Sequence, residues 1–404
     1  SLRLLRSASS FRWRAQLRAG GGPVHDGPVV VFAGGGTGGH LYPALALADA
    51  LRIRRPDVKA VFIGAAQGLE ARVLPERGEE HHLLPVRGID RTNPVSSWRA
   101  VPALLASLYA VTELFRRLRP EAVVVTGGYA GAPAGLAAGM MDVPLLLQDQ
   151  NSVPGLVTRA LCRFADSIHV AFPEAIGRLP KGVRGRVRES GNPVRAASGR
   201  SREEARALFN LPADALVVLV TGGSQGSLDL NAVIAEAIAG VAAGELTRPE
   251  RLRLLWATGS RHYDHVTARL GQLGDPAWVH AHAYLEDMPS AQAAADLAVA
   301  RSGAMTTAEF LNQGLPAVLV PLPTSAANHQ AHNATALAEA GAAVVARQAG
   351  LTGDRLWAEV VRLADSDTAL AQMHAAARAR ARPDAASEIA TDIERLLVTP
   401  GGAR

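Results

Sequence analysis

The chain has 404 residues, room for two domains of ordinary size, each with its own core. It is 48% hydrophobic and 20% charged, with a formal net charge of +5 from 42 Lys and Arg against 37 Asp and Glu. Aromatics at 4% speak against base-stacking nucleic-acid recognition, the lone Cys162 excludes an internal disulfide and a Cys-based zinc site, and no apolar run approaches the ~20 residues that span a bilayer, so membrane contact would be peripheral.

Residues 1–27 form a basic extension. Arg3, Arg6, Arg12, Arg14 and Arg18 alternate with serines, no acid occurs before Gly22, and Gly20–Gly22 closes the run. The composition resembles an organelle transit peptide, and a start called upstream of the true initiator fits equally. From Val29 the pattern predicts strands at 29–33, 60–64, 122–126, 145–147 and 167–171, with helices over 41–54, 101–117 and 132–140 between them. These apolar runs lack polar alternation, as expected of a parallel sheet buried on both faces. Gly191-Asn-Pro-Val-Arg195 breaks the pattern, and a polar stretch to Arg202 follows.

The second half restarts the cycle. Strands are predicted at 216–221, 252–258, 279–283, 297–300 and 317–320, and helices at 231–239, 306–313 and 329–340. Residues 368–397 read as helical apart from Pro383. The expected division is an N-terminal domain over 28–192, a hinge at 193–202, a C-terminal domain over 203–367 and a helical tail over 368–404. The fold class is α/β, with two doubly wound Rossmann-like domains facing across a cleft. Ligands of such sheets bind outside the carboxyl ends of the strands.

Two glycine-rich loops follow strands and open helices: Gly34-Gly-Gly-Thr-Gly-Gly-His40 and Gly222-Gly-Ser-Gln-Gly226. Such a loop aims bare backbone N–H groups and the positive end of a helix dipole at one point, where anions bind. Two such points fit an enzyme that moves a group between two phosphate-bearing substrates. The first loop also matches Gly-x-Gly-x-x-Gly, yet the second strand ends Phe62-Ile-Gly-Ala-Ala without the acid that a dinucleotide site places there, and no Gly-Lys-Ser/Thr of a Walker loop occurs.

Taken in order, Gly36-Thr-Gly-Gly-His40 with Pro43, Thr126-Gly-Gly-Tyr129, Gln150-Asn151, Gly191-Asn-Pro-Val-Arg195, Gly222-Gly-Ser-Gln-Gly226, Arg301-Ser-Gly-Ala-Met-Thr-Thr-Ala-Glu309 and Asn328-His-Gln330 resemble the MurG family over roughly residues 29–345. The resemblance implies a GT-B glycosyltransferase. The reaction would move N-acetylglucosamine from UDP-N-acetylglucosamine to the 4-hydroxyl of the muramoyl sugar of undecaprenyl-linked lipid I. The anomeric centre would invert, and lipid II for peptidoglycan would form. No cofactor and no metal is implied.

For the donor, the resemblance implies Thr37, Gly38, Gly39, Asn151, Arg195, Ser224, Tyr284, Leu285, Ala304, Met305, Thr306, Glu309 and Gln330. Ser224 and Arg195 would hold the diphosphate, Tyr284 and Leu285 the uracil, Glu309 the ribose diol, and Gln330 with His329 the sugar hydroxyls. Asn231 would lie near the donor at a helix start. Taken one by one, Glu309 reads equally as a solvated acid, Ser224 as an N-cap and Tyr284 as core. For the acceptor, Gly36, Thr37, Gly38, Gly39, Tyr129, Gln150 and Asn151 are implied. The catalytic candidates are His40 and Asp149. His40 sits where loop becomes helix, and the positive dipole end favours the neutral imidazole that a base needs; alternatively it only binds phosphate. Asp149 lies in Gln148-Asp-Gln-Asn151, where the family usually shows His-Glu-Gln-Asn, so two positions depart and the acid is one methylene shorter.

Trp98, Leu104, Leu105, Leu108 and Tyr109, flanked by Arg87, Arg91, Arg99, Arg116 and Arg117, could dock on an anionic membrane or face the core. The expected partners are UDP-N-acetylglucosamine, lipid I, an anionic membrane surface and cell-wall or division machinery, without nucleic acid. The location would be peripheral, on the cytoplasmic face of the cell membrane, or in a plastid if the extension is a transit peptide. Two rivals remain: another GT-B transferase with a UDP-sugar and a lipid acceptor, such as a diacylglycerol galactosyltransferase, and a non-catalytic UDP-sugar-binding subunit.

Overall fold

A computed structural model describes residues 27–86, 94–195 and 197–398, and for residues 94–101 and 398 the backbone alone. Among the described residues the first sheet holds β1 (Val29–Gly34), β2 (Lys59–Ala65), β3 (His81–Leu84), β4 (Ala122–Gly127), β5 (Leu145–Asp149), β6 (Ser167–Val170) and β7 (Val187–Glu189), in the order β3-β2-β1-β4-β5-β6-β7. Its recorded pairs are parallel. The second sheet holds β8 (Leu216–Thr221), β9 (Leu252–Ala257), β10 (Val279–His282), β11 (Leu297–Ala300), β12 (Ala317–Leu319) and β13 (Ala343–Val345), in the order β10-β9-β8-β11-β12-β13, parallel throughout.

Both sheets are doubly wound. The chain reverses its lateral direction between β1 and β4 in the first and between β8 and β11 in the second. Open α/β sheets carry their ligand crevice at such switch points. The two glycine-rich loops follow β1 and β8, so each opens at the reversal of its own sheet.

The central strands are buried on both faces, which is why they read as unbroken apolar runs. Val30, Val31, Phe32 and Ala33 have no exposed surface, and Phe32 stacks on Phe62 with ring centroids 5.6 Å apart. In the second sheet β8 is equally buried, and Trp256 of β9 fills the core between β8 and the helix Leu228–Ala242. The edge strands β3, β7 and β13 are absent from the predicted set. They are three or four residues long and mostly half-buried, so they lack the apolar run that marks their neighbours.

The helices Gly38–Arg54 and Pro94–Leu118 start earlier than predicted, the first because two glycines form its opening turn. The tail splits around Pro383 into the helices Asp367–Ala379 and Ala385–Val398. The short helices Glu70–Glu76, Leu156–Leu161 and Met288–Ala294 carry too few turns for a periodic signal.

The chain forms two compact units. The first runs to Leu147 and takes in Ala160–Ser167 and the chain from Ala390. The second holds Gln148–Arg159 and Ile168–Ile389.

Candidate active site

In the first unit, β1 ends at Gly34 and the helix Gly38–Arg54 begins after Thr37. The first amides of a helix have no partner within it, so Gly38 and Gly39 present theirs at the loop. Gly36 turns there with φ +94°. His40 lies in the first helical turn, and its Nδ1 is 3.1 Å from the Thr37 hydroxyl. The hydroxyl of Thr126 donates to the His40 carbonyl at 2.7 Å, which ties the end of β4 to the start of this helix.

The Thr126-Gly-Gly-Tyr129 run is explained here. Gly127 has φ +101°, and a Cβ on it would lie 2.8 Å from His40 Cδ2. Gly128 approaches the Gly35 carbonyl so closely that a Cβ would lie 2.0 Å from its oxygen. The two glycines let the end of β4 lie against the loop and the His40 ring. Tyr129 is partly exposed, and its ring is the neighbour that a side chain on Gly36 would meet.

The second unit carries the other loop. Gly223 and Gly226 take positive φ, and the Gly226 N–H closes a turn on the Gly223 carbonyl. The N-cap of the helix Leu228–Ala242 is Ser227, whose hydroxyl accepts the Leu230 N–H; Ser224 stands exposed at the loop tip and is not the cap. Asn231 is buried in the first turn. Its amide donates to the Thr258 carbonyl at 2.8 Å and accepts from the Trp256 indole at 3.1 Å, holding this turn to β9. Beneath the loop lies Arg301, 5% exposed. Its guanidinium donates to the Ser227 hydroxyl, the Val320 carbonyl and Gln348 Oε1. The nearest carboxylate, Asp229, is 3.8 Å away and largely exposed. Burial therefore lowers the Arg301 pKa, with Asp229 opposing.

The helix Ala304–Gln313 follows β11 with Gly303 as its N-cap. Ala304 is buried, while Met305, Thr306 and Glu309 are half-buried, so Glu309 is not a freely solvated acid. Glu309 Oε2 accepts the Gln292 amide at 3.0 Å. Burial pushes its carboxyl above the ordinary range, against this hydrogen bond and the charge of Arg195. Tyr284 is 45% exposed rather than core, whereas the Leu285 side chain is buried and leaves only its backbone to a ligand. Gln330 Oε1 accepts the Leu322 N–H at 3.0 Å, and His329 Nδ1 faces the Ala326 carbonyl. Gln292 also lines a cavity of about 480 Å3 with Arg200, Arg202 and Asp296, in which none of the predicted site residues takes part.

The loop after β5 belongs to this second unit. Asp149 is 3% exposed and accepts the N–H groups of Asn151 and Gly155, at 3.1 and 2.9 Å, and a hydrogen bond from Thr158. Burial raises its pKa and these hydrogen bonds oppose the rise. Gln150 is buried, and its amide donates to Gln148 Oε1. Asn192 of the Gly-Asn-Pro run accepts from Gln148 and donates to the carbonyls of Gln150 and Ala304. Asn333, fully buried, accepts from Ser152 and donates to Asn151 Oδ1 at 3.1 Å and to the Ser302 carbonyl. A continuous amide network thus joins Gln148–Ser152 to the start of the Glu309 helix. The sequence reading gave no role to Asn333, Gln292, Arg301 or Glu70. Two carried a usable signal: Arg301 heads the run that ends at Glu309, and Asn333 lies one helical turn after Gln330.

Of the proposed docking patch, Arg87 and Arg91 lie outside the described residues, as do the side chains of Trp98 and Arg99. Leu105 and Tyr109 are exposed at 60% and 68%, while Leu104 and Leu108 are half-buried. Arg116 pairs with Glu113. No helix among the described residues is long and apolar enough to cross a membrane.

Two parallel-sheet Rossmann-like domains, each with a glycine loop opening a helix at its switch point, make up the GT-B fold, and the family models that match it are those of glycosyltransferases. Residues 30–170 match the glycosyltransferase family 28 N-terminal domain and residues 217–389 its C-terminal domain. Two similar relatives bear the name UDP-N-acetylglucosamine–N-acetylmuramyl-(pentapeptide) pyrophosphoryl-undecaprenol N-acetylglucosamine transferase. The protein of Salinibacter ruber is 41% identical over 370 residues, 91% of this chain and 97% of the relative. That of Desulfitobacterium hafniense is 38% identical over 365 residues, 89% and 97%. The crystal structure of Acinetobacter baumannii MurG superposes with a TM-score of 0.72 at 27% identity, covering 91% of this chain and 99% of that one. The calicheamicin glycosyltransferase CalG4 shares the fold, with a TM-score of 0.66. The chain belongs to the MurG family.

Proposed function

We propose that the chain transfers N-acetylglucosamine from UDP-N-acetylglucosamine to the 4-hydroxyl of the muramoyl sugar of undecaprenyl-diphospho-muramoyl-pentapeptide, with inversion. The observation that carries this reading is similarity at 38–41% identity, over about nine-tenths of the chain, to relatives named for that reaction. The two glycine loops support it by offering one anion cradle for each diphosphate.

The donor lies on the second unit. Glu309 accepts hydrogen bonds from the ribose hydroxyls, Tyr284 covers the uracil and the Leu285 backbone reads its edge. Ser224 and the amides around Gly223 hold the diphosphate with Arg195. As the glycosidic bond breaks, negative charge grows on the departing UDP, and these amides stabilise it together with the positive charge of Arg301 behind them. Gln330 and Asn151 orient the sugar. The acceptor diphosphate rests on Gly38 and Gly39. His40 takes the proton of the acceptor hydroxyl as that oxygen attacks the anomeric carbon from the face opposite UDP. Both oxygens of Asp149 are engaged, which favours a positioning role for it over proton transfer.

The chain docks peripherally on the cytoplasmic face of the membrane, through the exposed Leu105 and Tyr109. The test of the reaction is direct. Purified chain, labelled UDP-N-acetylglucosamine and a short-chain lipid I analogue should give a product heavier by one N-acetylhexosamine. No product with this acceptor, or turnover of another UDP-sugar in its place, would remove the assignment.

A further inference from the structure

We propose that Glu70 is the positioning residue of the first glycine loop: its buried carboxyl captures the Gly36 N–H, and that leaves the amides of Gly38 and Gly39 to the acceptor's diphosphate. The inference rests on the reading that this loop receives the acceptor.

Glu70 opens the short helix after β2 and has no exposed surface. Its Oε1 accepts the Gly36 N–H at 2.6 Å. The slot it fills is walled by glycine. A Cβ on Gly35 would lie 2.5 Å from Oε1, one on Gly64 2.7 Å from the Glu70 Cβ, and one on Gly68 1.8 Å from Oε2. No larger residue fits at these three positions without moving the carboxyl. The captured amide belongs to the residue with φ +94°, the point where the loop turns from β1 toward the helix. A hydrogen bond there fixes which way the following amides face.

The acid also differs from an ordinary surface glutamate in its surroundings. Oε2 is buried with no hydrogen-bond partner among the described residues. Burial pushes the carboxyl above the ordinary range, and backbone N–H groups of Glu70 and Gly36 oppose the rise without any cationic side chain. Burial disfavours the charged form, the form that would repel a diphosphate bound above it. Gln keeps the length of the side chain and the Oε1 that accepts the Gly36 N–H, so it is the conservative replacement and Ala the disruptive one.

The experiment compares the parent with Glu70→Ala, Glu70→Gln and Gly68→Ala, following KM for each substrate and hydrogen exchange of the segment 34–41 without substrate. Glu70→Ala is expected to raise the acceptor KM about tenfold, to leave the donor KM within about twofold, and to speed exchange at Gly36. Gly68→Ala should do the same by evicting the carboxyl, and Glu70→Gln should restore both readouts. Donor and acceptor constants that rise together, a Gln variant as impaired as Ala, or unchanged Gly36 exchange in the Ala variant would each overturn the proposal. If Glu70→Ala does not fold, Gly68→Ala and Glu70→Gln decide. A parent without turnover would defeat the functional reading instead, and the exchange measurement would still judge Glu70.

Discussion

The two glycine loops look alike in sequence and are supported in opposite ways. The first enters its helix through Thr37, whose side chain makes no capping bond, and no acid stands in its first turn. Beneath it lies a buried acid, Glu70. The second enters through Ser227, a full N-cap, with Asp229 in the first turn. Beneath it lies a buried guanidinium, Arg301, hydrogen-bonded mainly to neutral acceptors. On the reaction proposed above, the difference follows the charge each loop would face. A departing UDP gains negative charge in the transition state, and a weakly compensated cation behind the amides stabilises that gain. The acceptor's diphosphate carries the same charge before and after reaction, so its loop needs shape more than field. A buried acid that orients backbone supplies shape.

Four experiments break or sharpen this contrast. The largest effect is expected at the first loop. His40→Ala should lower turnover at saturating substrates by about 10²–10⁴-fold. Asp149→Asn should act mainly on stability, because its amide nitrogen would face the N–H of Asn151 or of Gly155, an uncompensated donor–donor contact of about 1–3 kcal/mol. Stopped-time assays and thermal melts separate the two, and the reverse ranking would hand the base role to Asp149.

At the second loop, Glu309→Ala should raise the donor KM tenfold to over a hundredfold, from the loss of a charged hydrogen-bond partner of about 1.5–3 kcal/mol. The effect carries a pH signature. The ionised carboxylate accepts the diol, and burial raises its pKa. Donor affinity should therefore be full above that raised pKa and fall as pH drops through it, at a higher pH than an exposed glutamate would give. Glu309→Gln should flatten this acid limb, and an unchanged limb would take Glu309 out of the site.

Arg301→Gln tests the field directly. UDP should bind about tenfold more weakly and uridine unchanged, as calorimetry can report, since only the diphosphate feels the cation. Equal losses for both would mean that Arg301 merely props the loop through Ser227.

The smallest effect is expected away from both loops. Leu105→Glu with Tyr109→Glu should weaken co-sedimentation with anionic vesicles and leave turnover of a water-soluble acceptor intact. Leu104 and Leu108, half-buried, are the poorer choice for this test because their replacement disturbs packing. Vesicle binding equal to the parent would assign docking elsewhere.

The contrast between the loops was not legible in advance. The strand β2 and Ala66 after it hold no acid. The acid that serves the first loop is Glu70, a few residues on and turned under the loop, where its Gly36 bond and full burial keep it from a ribose. Ser224 was weighed as an N-cap, and the cap is Ser227, because the loop needs one more turn, closed by Gly226, before its helix can start. Asp149 is a candidate base in sequence, and hydrogen bonds from Asn151 and Gly155 of its loop and from Thr158 of the helix that follows converge on it.

The sequence by itself determined the strand–loop–helix cycles, both glycine loops and the run around Glu309. Those features are written at fixed short offsets, where the period of burial and the backbone freedom of glycine act locally. Only the tertiary structure decided which groups stand behind them. Glu70 meets Gly36 across 34 positions, Arg301 meets Ser227 across 74, and Asn333 meets Asn151 across 182. It also decided that Gln148–Arg159 packs with the second unit while Ala160–Ser167 packs with the first. A buried polar group must find a partner wherever the fold brings one, and nothing in the local pattern of either residue names the other.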